Sequence, residues 1–242
     1  MTAKRDASAE TAPGRRRRPR GSLTREAVVD AALALVDAEG VEALSMPRLA
    51  RWLDAGVMTL YGYVRSKQEL LDAVAMRAIA EVRVRELHGG DWRAVLLGWG
   101  RGIRQVLLAH PGVAGVLAQR SVIGPGIFRG LELLLGPVQR DGFTTEAAAR
   151  AIYAVLIYTL GFVLWEAPRV HAQPASAYAA QWREGFARVP ADEFPHVAAA
   201  LPYLGTLAGE AQFMFGLEAL VAGLCPPDGM PAATEGSSVP PG

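Results

Sequence analysis

The side chains of this chain with the clearest chemistry fall between residues 44 and 71, LSMPRLARWLDAGVMTLYGYVRSKQELL, and just upstream of them. Val57, Met58 and Thr59 are small, apolar or hydroxyl-bearing, the types that meet base edges and thymine methyls. Tyr61 and Lys67 are donors suited to phosphate oxygens, and Arg48 adds a further cation for a nucleic-acid backbone. The run Arg15-Arg16-Arg17-Arg18-Pro19-Arg20-Gly21 is a basic, proline-bearing arm of a kind that stays mobile when free and follows a minor groove or a line of phosphates. Thr24, Ser45, Gly56 and Tyr63 complete the candidate set with Arg18 and Arg20. Each has a plainer competitor: Tyr61 as a surface aromatic against Leu71, Met58 as core filler, Lys67 as a solvated lysine, the arginine run as a solubilising tail.

Such a set works only if the backbone presents it rigidly. Ser45 is a good N-cap and Pro47 sits in the first turn, where a missing N–H costs nothing. Leu49 and Leu53 repeat at i and i+4, and Asp54-Ala55-Gly56 breaks the helix in three residues. A second helix is expected from about Val57 to Val64, burying Leu60 and Val64. Ser66 and Glu69 have capping-box spacing, so a third helix starts at Lys67, whose amide dipoles and lysine form an anion site. Upstream, Thr24 caps a helix with the stripe Val29, Ala32, Leu33 and Val36, stopped at Gly40. Two short helices joined by a tight turn and braced by others form a helix-turn-helix.

Net charge alone would mislead. The whole chain carries +1, but residues 1–20 hold seven basic and two acidic side chains while the rest is net acidic. The positive charge is local, as a DNA contact confined to one end requires. At 242 residues with 51% hydrophobic composition, the chain can bury a sizeable core and expose apolar surface for a second subunit. Its longest uncharged apolar stretch, Ala151 to Trp165, falls short of the roughly 20 residues that span a bilayer. No membrane span or signal peptide is expected, and Cys225 is the single cysteine, so no intrachain disulfide forms. A cytoplasmic location fits.

Beyond residue 72 the punctuation is helical throughout, with no period-two alternation and no internal repeat. His88-Gly89-Gly90 should break the long helix begun at Lys67, Asp91 should cap one running to about Ala109, and Pro111-Gly112, Gly124-Pro125-Gly126 and Gly142 mark later breaks. Thr144 should cap a helix from Thr145 to Trp165, apolar all round in its second half, and Phe213 to Leu224 has the same character. Ala167 to Pro195 reads as a connector rich in alanine. The expected organisation is all-α: a disordered basic arm (1–22), a three-helix helix-turn-helix domain (23–72), a helical ligand-binding and dimerisation domain (73–224) and a disordered tail (225–242).

For a ligand, Trp99, Phe128, Tyr158 and Phe162, with Trp92, Tyr153, Trp165 and Trp182, could line a cavity for a flat or lipophilic molecule. Arg104, His110, Gln119 and Glu166 are the candidate polar anchors. An aromatic at helical spacing is as readily plain core. His88, His110, His171 and His196 show no metal-ligand spacing, and no phosphate loop or nucleophile elbow occurs. No cofactor, metal or catalytic residue is expected.

The chain resembles the TetR (tetracycline-repressor) family of bacterial transcriptional regulators. The resemblance rests on Ala38-Glu39-Gly40, Leu44-Ser45-Met46, Leu49-Ala50, Leu53, Thr59-Leu60-Tyr61, Val64, Lys67 and Leu70-Leu71. It continues through Asp91-Trp92, His110-Pro111, Asp141-Gly142-Phe143, Leu160-Gly161-Phe162 and Phe213 to Leu217. Asp54 stands where the family usually has glycine, and Leu117 falls near a metal-liganding histidine of true tetracycline repressors, so a magnesium-tetracycline effector is not expected. The resemblance implies a four-helix dimer interface, a palindromic operator, and a homodimeric repressor released by a small-molecule effector. The competing readings are a ligand-independent architectural or activating DNA-binding protein, and an all-helical enzyme.

Overall fold

The computed structural model describes residues 23–83, 90–172, 175–186, 189–204 and 208–226. The basic arm with Arg18 and Arg20, His88-Gly89 and the tail beyond residue 226 lie outside the described residues.

Five N-caps predicted from sequence are formed. Thr24 accepts the amide of Ala27 at the start of α1 (Arg25–Glu39), and Ser45 accepts that of Arg48 at the start of α2 (Met46–Leu53). Ser66 accepts the amide of Glu69 in α4 (Lys67–Ile79), and Asp91 that of Ala94 in α5 (Trp92–Ala109). Thr144 accepts that of Ala147 at the head of α8 (Thr145–Ala172). Each removes one orphan donor from a helix end. Between α2 and α3 (Val57–Tyr61), Asp54 takes the left-handed conformation that the turn demands, at φ 51° and ψ 48°. Aspartate tolerates this region better than most residues.

Helices α1 to α4 share one core: Val28, Ala32, Leu35, Leu44, Leu49, Leu60, Leu70 and Val74 are fully buried. In the larger half, α5 and α8 pack centrally, with α7 (Pro125–Arg140) and α11 (Glu210–Ala222) beside them. Helix α6 (Pro111–Gln119) lies between the halves, touching α5 and α8 on one side and α1 and α4 on the other. The described residues form helices and no strand.

Three expectations change. Helix α3 ends at Tyr61 rather than Val64, because Gly62 caps it with its N–H on the carbonyls of Thr59 and Leu60; Val64 is buried all the same. Helix α4 ends at Ile79, well before Gly90, unwinding through tighter turns at Glu81 and Val82. Its last fully buried residue is Ala78, and the β-branched Val82 that follows favours helix weakly. The segment from Ala167 is no bare connector: α8 continues through Pro168 to Ala172, followed by α9 (Ala175–Phe186) and α10 (Pro195–Leu204). Tyr178, Trp182 and Phe186 stand at i, i+4 and i+8, an aromatic stripe that supports α9.

The long α8 also alters the membrane reading. Thr145–Arg169 is long and apolar enough to cross a bilayer by length and composition, with mean hydropathy 1.8. Charged residues that cut the uncharged stretch to fifteen are too few to lower that average. One face of it nevertheless packs inside the protein, with Ala148, Ala151, Val155, Val163 and Glu166 buried, as in the central helix of a core.

Candidate DNA interface and effector cleft

The capped turn from α2 to α3 leaves a compact exposed tip. Met58 is 81% exposed and Tyr61 45%, and Gly56 and Thr59 are exposed beside them. Val57 is half-buried against the core. Lys67 is half-buried in the first turn of α4, with no carboxylate partner among the described residues. Gly56 starts α3 so close to Thr59 that a β-carbon there would lie 3.4 Å from its Oγ1. The exposed tip therefore carries a thioether, a methyl-bearing hydroxyl and a phenol, with the half-buried ammonium of Lys67 at the head of the next helix.

Four predicted residues serve the scaffold. The hydroxyls of Thr24 and Ser45 are taken up as N-caps. Tyr63, expected on an outward face, is half-buried and donates from its hydroxyl to the carbonyl of Leu23 at 2.8 Å. The early end of α3 turns Tyr63 inward. Arg48 donates from Nε and Nη2 to both oxygens of Glu39 at 2.6–3.0 Å. The hydrogen bond from Arg48 holds the Glu39 carboxyl below the usual range, and Glu39 raises Arg48 in return. Sequence reasoning had placed Arg48 but missed Glu39, because the pair joins two separate helices.

In the other half the two charged anchors meet. Arg104 on α5 donates from Nε and Nη2 to Glu166 on α8 at 2.8 and 2.6 Å, with the side chains 8% and 1% exposed. The Arg104 guanidinium lies 5.2 Å from the Phe213 ring centre. Phe213 in turn stacks on Tyr158 at 5.5 Å and meets Phe162 edge-on at 5.3 Å. The Tyr158 hydroxyl donates to the Phe213 carbonyl, and burial is the chief cause that pushes this phenol up, with Glu166 adding to it against Arg104. A β-carbon at Gly216 would come within 2.2 Å of that hydroxyl, so α11 can approach α8 only with glycine there.

Above this cluster opens a cleft of about 440 Å³ lined by Phe162 and Trp165 of α8, Tyr178 and Trp182 of α9, Leu204 of α10 and Gln212 of α11. Arg169 stacks over the Trp165 ring at 4.2 Å. Of the predicted aromatics Phe162, Trp165 and Trp182 line it, and none of the predicted polar anchors does. Trp99 is core, Phe128 is 58% exposed on α7, and Gln119 is exposed at the end of α6. His110 belongs to the boundary between the halves: its Nδ1 lies 2.8 Å from Asp37 Oδ2 and its Nε2 3.4 Å from Glu81 Oε2. Tyr178, Leu204 and Gln212 escaped sequence reasoning; the stripe of α9 was the legible signal for the first. Among the described residues no three side chains cluster as metal ligands, and Leu117 is partly buried on α6.

Comparison with known proteins matches both halves. Residues 28–74 fit the family described as bacterial regulatory proteins, tetR family, and residues 86–226 the tetracyclin repressor-like, C-terminal domain. The HTH-type transcriptional repressor DrrR1 of Streptomyces coeruleorubidus is 32% identical, covering 87% of this chain and 81% of that protein. The tetracycline repressor protein class D of Escherichia coli is 31% identical over 83% of this chain and 88% of that protein. The crystal structure of the TetR family protein ActR of Streptomyces coelicolor in complex with actinorhodin superposes with a TM-score of 0.76 at 31% identity, covering 84% of this chain and 96% of that one. An ActR complex with (S)-DNPA gives 0.73 at 32% identity, with 84% and 96% covered. With a capped helix-turn-helix at one end and a helical ligand domain at the other, the chain belongs to the TetR family of bacterial transcriptional regulators and is a DNA-binding transcriptional repressor.

Proposed function

We propose that the protein is a cytoplasmic homodimer that holds a palindromic operator with two copies of the α2–α3 unit and releases it when a largely apolar, planar small molecule occupies the ligand domain. It carries out no catalysis. The observation that carries the reading is the tip of α3: Met58, at 81% exposure, is an apolar side chain held in solvent at the head of a rigid turn. Burial against a base edge or thymine methyl is the gain that offsets such exposure. Val57 and Thr59 read beside it, Tyr61 and Lys67 take phosphates, and Arg18 and Arg20 extend the backbone contacts. Arg48 reaches a phosphate only by sharing or leaving Glu39.

The pairing surface is an apolar stripe along α8, Tyr153, Ile157, Gly161 and Leu164, continued by Phe215 on α11. Such contiguous apolar exposure on two neighbouring helices fits a second copy. For the effector, four aromatic rings around a cleft with one amide favour stacking over charge. Arg104 and Glu166 neutralise each other beneath it, so the site offers little net charge to an ionised ligand. ActR, which binds actinorhodin and (S)-DNPA, supports a small-molecule effector for this chain as well. A ligand that prefers one separation of the two DNA-reading units lowers operator affinity by its differential binding to the two states, about 1.4 kcal/mol for each tenfold.

Fluorescence anisotropy of the purified protein on the DNA flanking its own coding region, and on sites selected from random sequence, tests this. Saturable site-specific binding is expected, with Lys67→Ala lowering the salt slope by about one. Binding equal on all DNA, with no site recovered by selection, would sink the reading.

A further inference from the structure

His110 is at once the C-cap of α5 and the residue before α6, a helix that packs against both halves of the protein. Its side chain is 14% exposed. Nδ1 faces Asp37 Oδ2 of α1 at 2.8 Å, and Nε2 faces Glu81 Oε2, just beyond α4, at 3.4 Å. A carboxylate only accepts. A neutral imidazole has one N–H and one lone pair, so in either tautomer it would turn a lone pair toward one of these carboxylates; the imidazolium donates to both. The other charges around it are themselves paired. Glu81 Oε1 accepts from Arg77 at 3.1 Å, and Arg77 reaches Asp30 of α1 at 2.8 Å. From α6, Arg120 at the far end pairs with Asp72 of α4 at 2.9 Å.

We propose that His110 acts as a cationic positioning residue, holding the ligand domain to the DNA-binding half through Asp37 and Glu81, so that the coupling between the two halves is linked to the binding of one proton. The bridged arrangement holds a proton that the opened arrangement does not. The bridge is therefore complete on the acid side and is lost as pH rises. The second tie, Arg120 to Asp72, has no such dependence at its basic end because arginine stays charged. Histidine is the side chain whose change of charge falls within the range of cellular pH, so a change of pH could bias the link between effector and operator. The operator part of this inference rests on the repressor reading above; the protonation part does not.

The test uses the full chain. In long-range nitrogen–proton spectra of protein labelled at histidine, with the His110 signals assigned through His110→Gln, the expected pattern at about neutral pH is that of an imidazolium with two N–H groups. Asp37→Asn, which keeps the ring and removes one acceptor, should shift the signals toward a neutral tautomer. Thermal unfolding midpoints of wild type and His110→Gln should converge as pH rises from about 6 to about 8, the range in which histidine titrates. Over the same interval the operator affinity of wild type should change at least about threefold more than that of the variant. A neutral single-tautomer pattern with parallel unfolding profiles would overturn the proposal. If neither protein binds specific DNA, the repressor reading fails while the spectra and unfolding profiles still decide the role of His110.

Discussion

Thr159 of α8 keeps a fully buried hydroxyl with no hydrogen-bond partner among the described residues, so its burial is a cost without return. Thr159→Val should raise the stability measured by urea unfolding by about 1 kcal/mol, since the methyl fills the same space and needs no partner. Tyr63→Phe should work the other way, losing about 1 kcal/mol with the bond to the Leu23 carbonyl. At the proposed DNA-reading tip, Met58→Ala should weaken specific operator binding while leaving the salt slope and the unfolding curve unchanged, because Met58 carries no charge and stands clear of the core. Binding to a set of single-base operator variants checks this: loss of preference at one position is expected, whereas a uniform loss would make Met58 a scaffold residue. At this scale the sequence was readable wherever the cause is local. Asp54 announced its left-handed turn and Ser45 its cap. Nothing near Arg48 in sequence announced Glu39.

Helices α5 and α8 are joined by the buried pair of Arg104 and Glu166, which lie 62 positions apart. Arg104→Met should destabilise the protein by about 3–5 kcal/mol, because Glu166 is left charged and unpaired inside the core. Adding Glu166→Leu should restore most of that loss, and equilibrium unfolding of the two variants distinguishes an unpaired charge from a mere loss of packing. At the head of α4, the amide of Arg65 and then the side chain of Arg25 hold the Glu69 carboxyl below its usual range. A carboxyl lowered by folding contributes stability above the ordinary carboxylate range and loses it as pH falls toward the folded value. Acid unfolding of Glu69→Gln should therefore meet that of wild type at low pH and fall below it near neutrality. The limits of helix prediction follow the same division. Caps and glycine breaks placed the starts of α1, α2, α4, α5 and α8, all short-range signals. The passage of α8 through Pro168 depends on neighbours that hold the helix past a residue lacking a donor, and the early end of α4 depends on where its core stops. The cleft draws Phe162, Trp182, Leu204 and Gln212 from four helices, a meeting that periodicity along one helix does not reveal.

For the whole molecule, the uncovered stripe on α8 and α11 makes assembly the decisive property. Tyr153→Glu combined with Ile157→Glu should convert the proposed dimer to monomer in sedimentation velocity while the helical signal persists, and operator binding should fall with it because a single reading unit makes few base contacts. A dimer that survives both changes would move the interface elsewhere. The bond from Tyr63 to the Leu23 carbonyl also ties the residue just ahead of α1 to the turn just after α3, two points 40 positions apart in the chain. The first helix and the reading helix are thereby riveted at one spot, so a tilt of either carries the other with it.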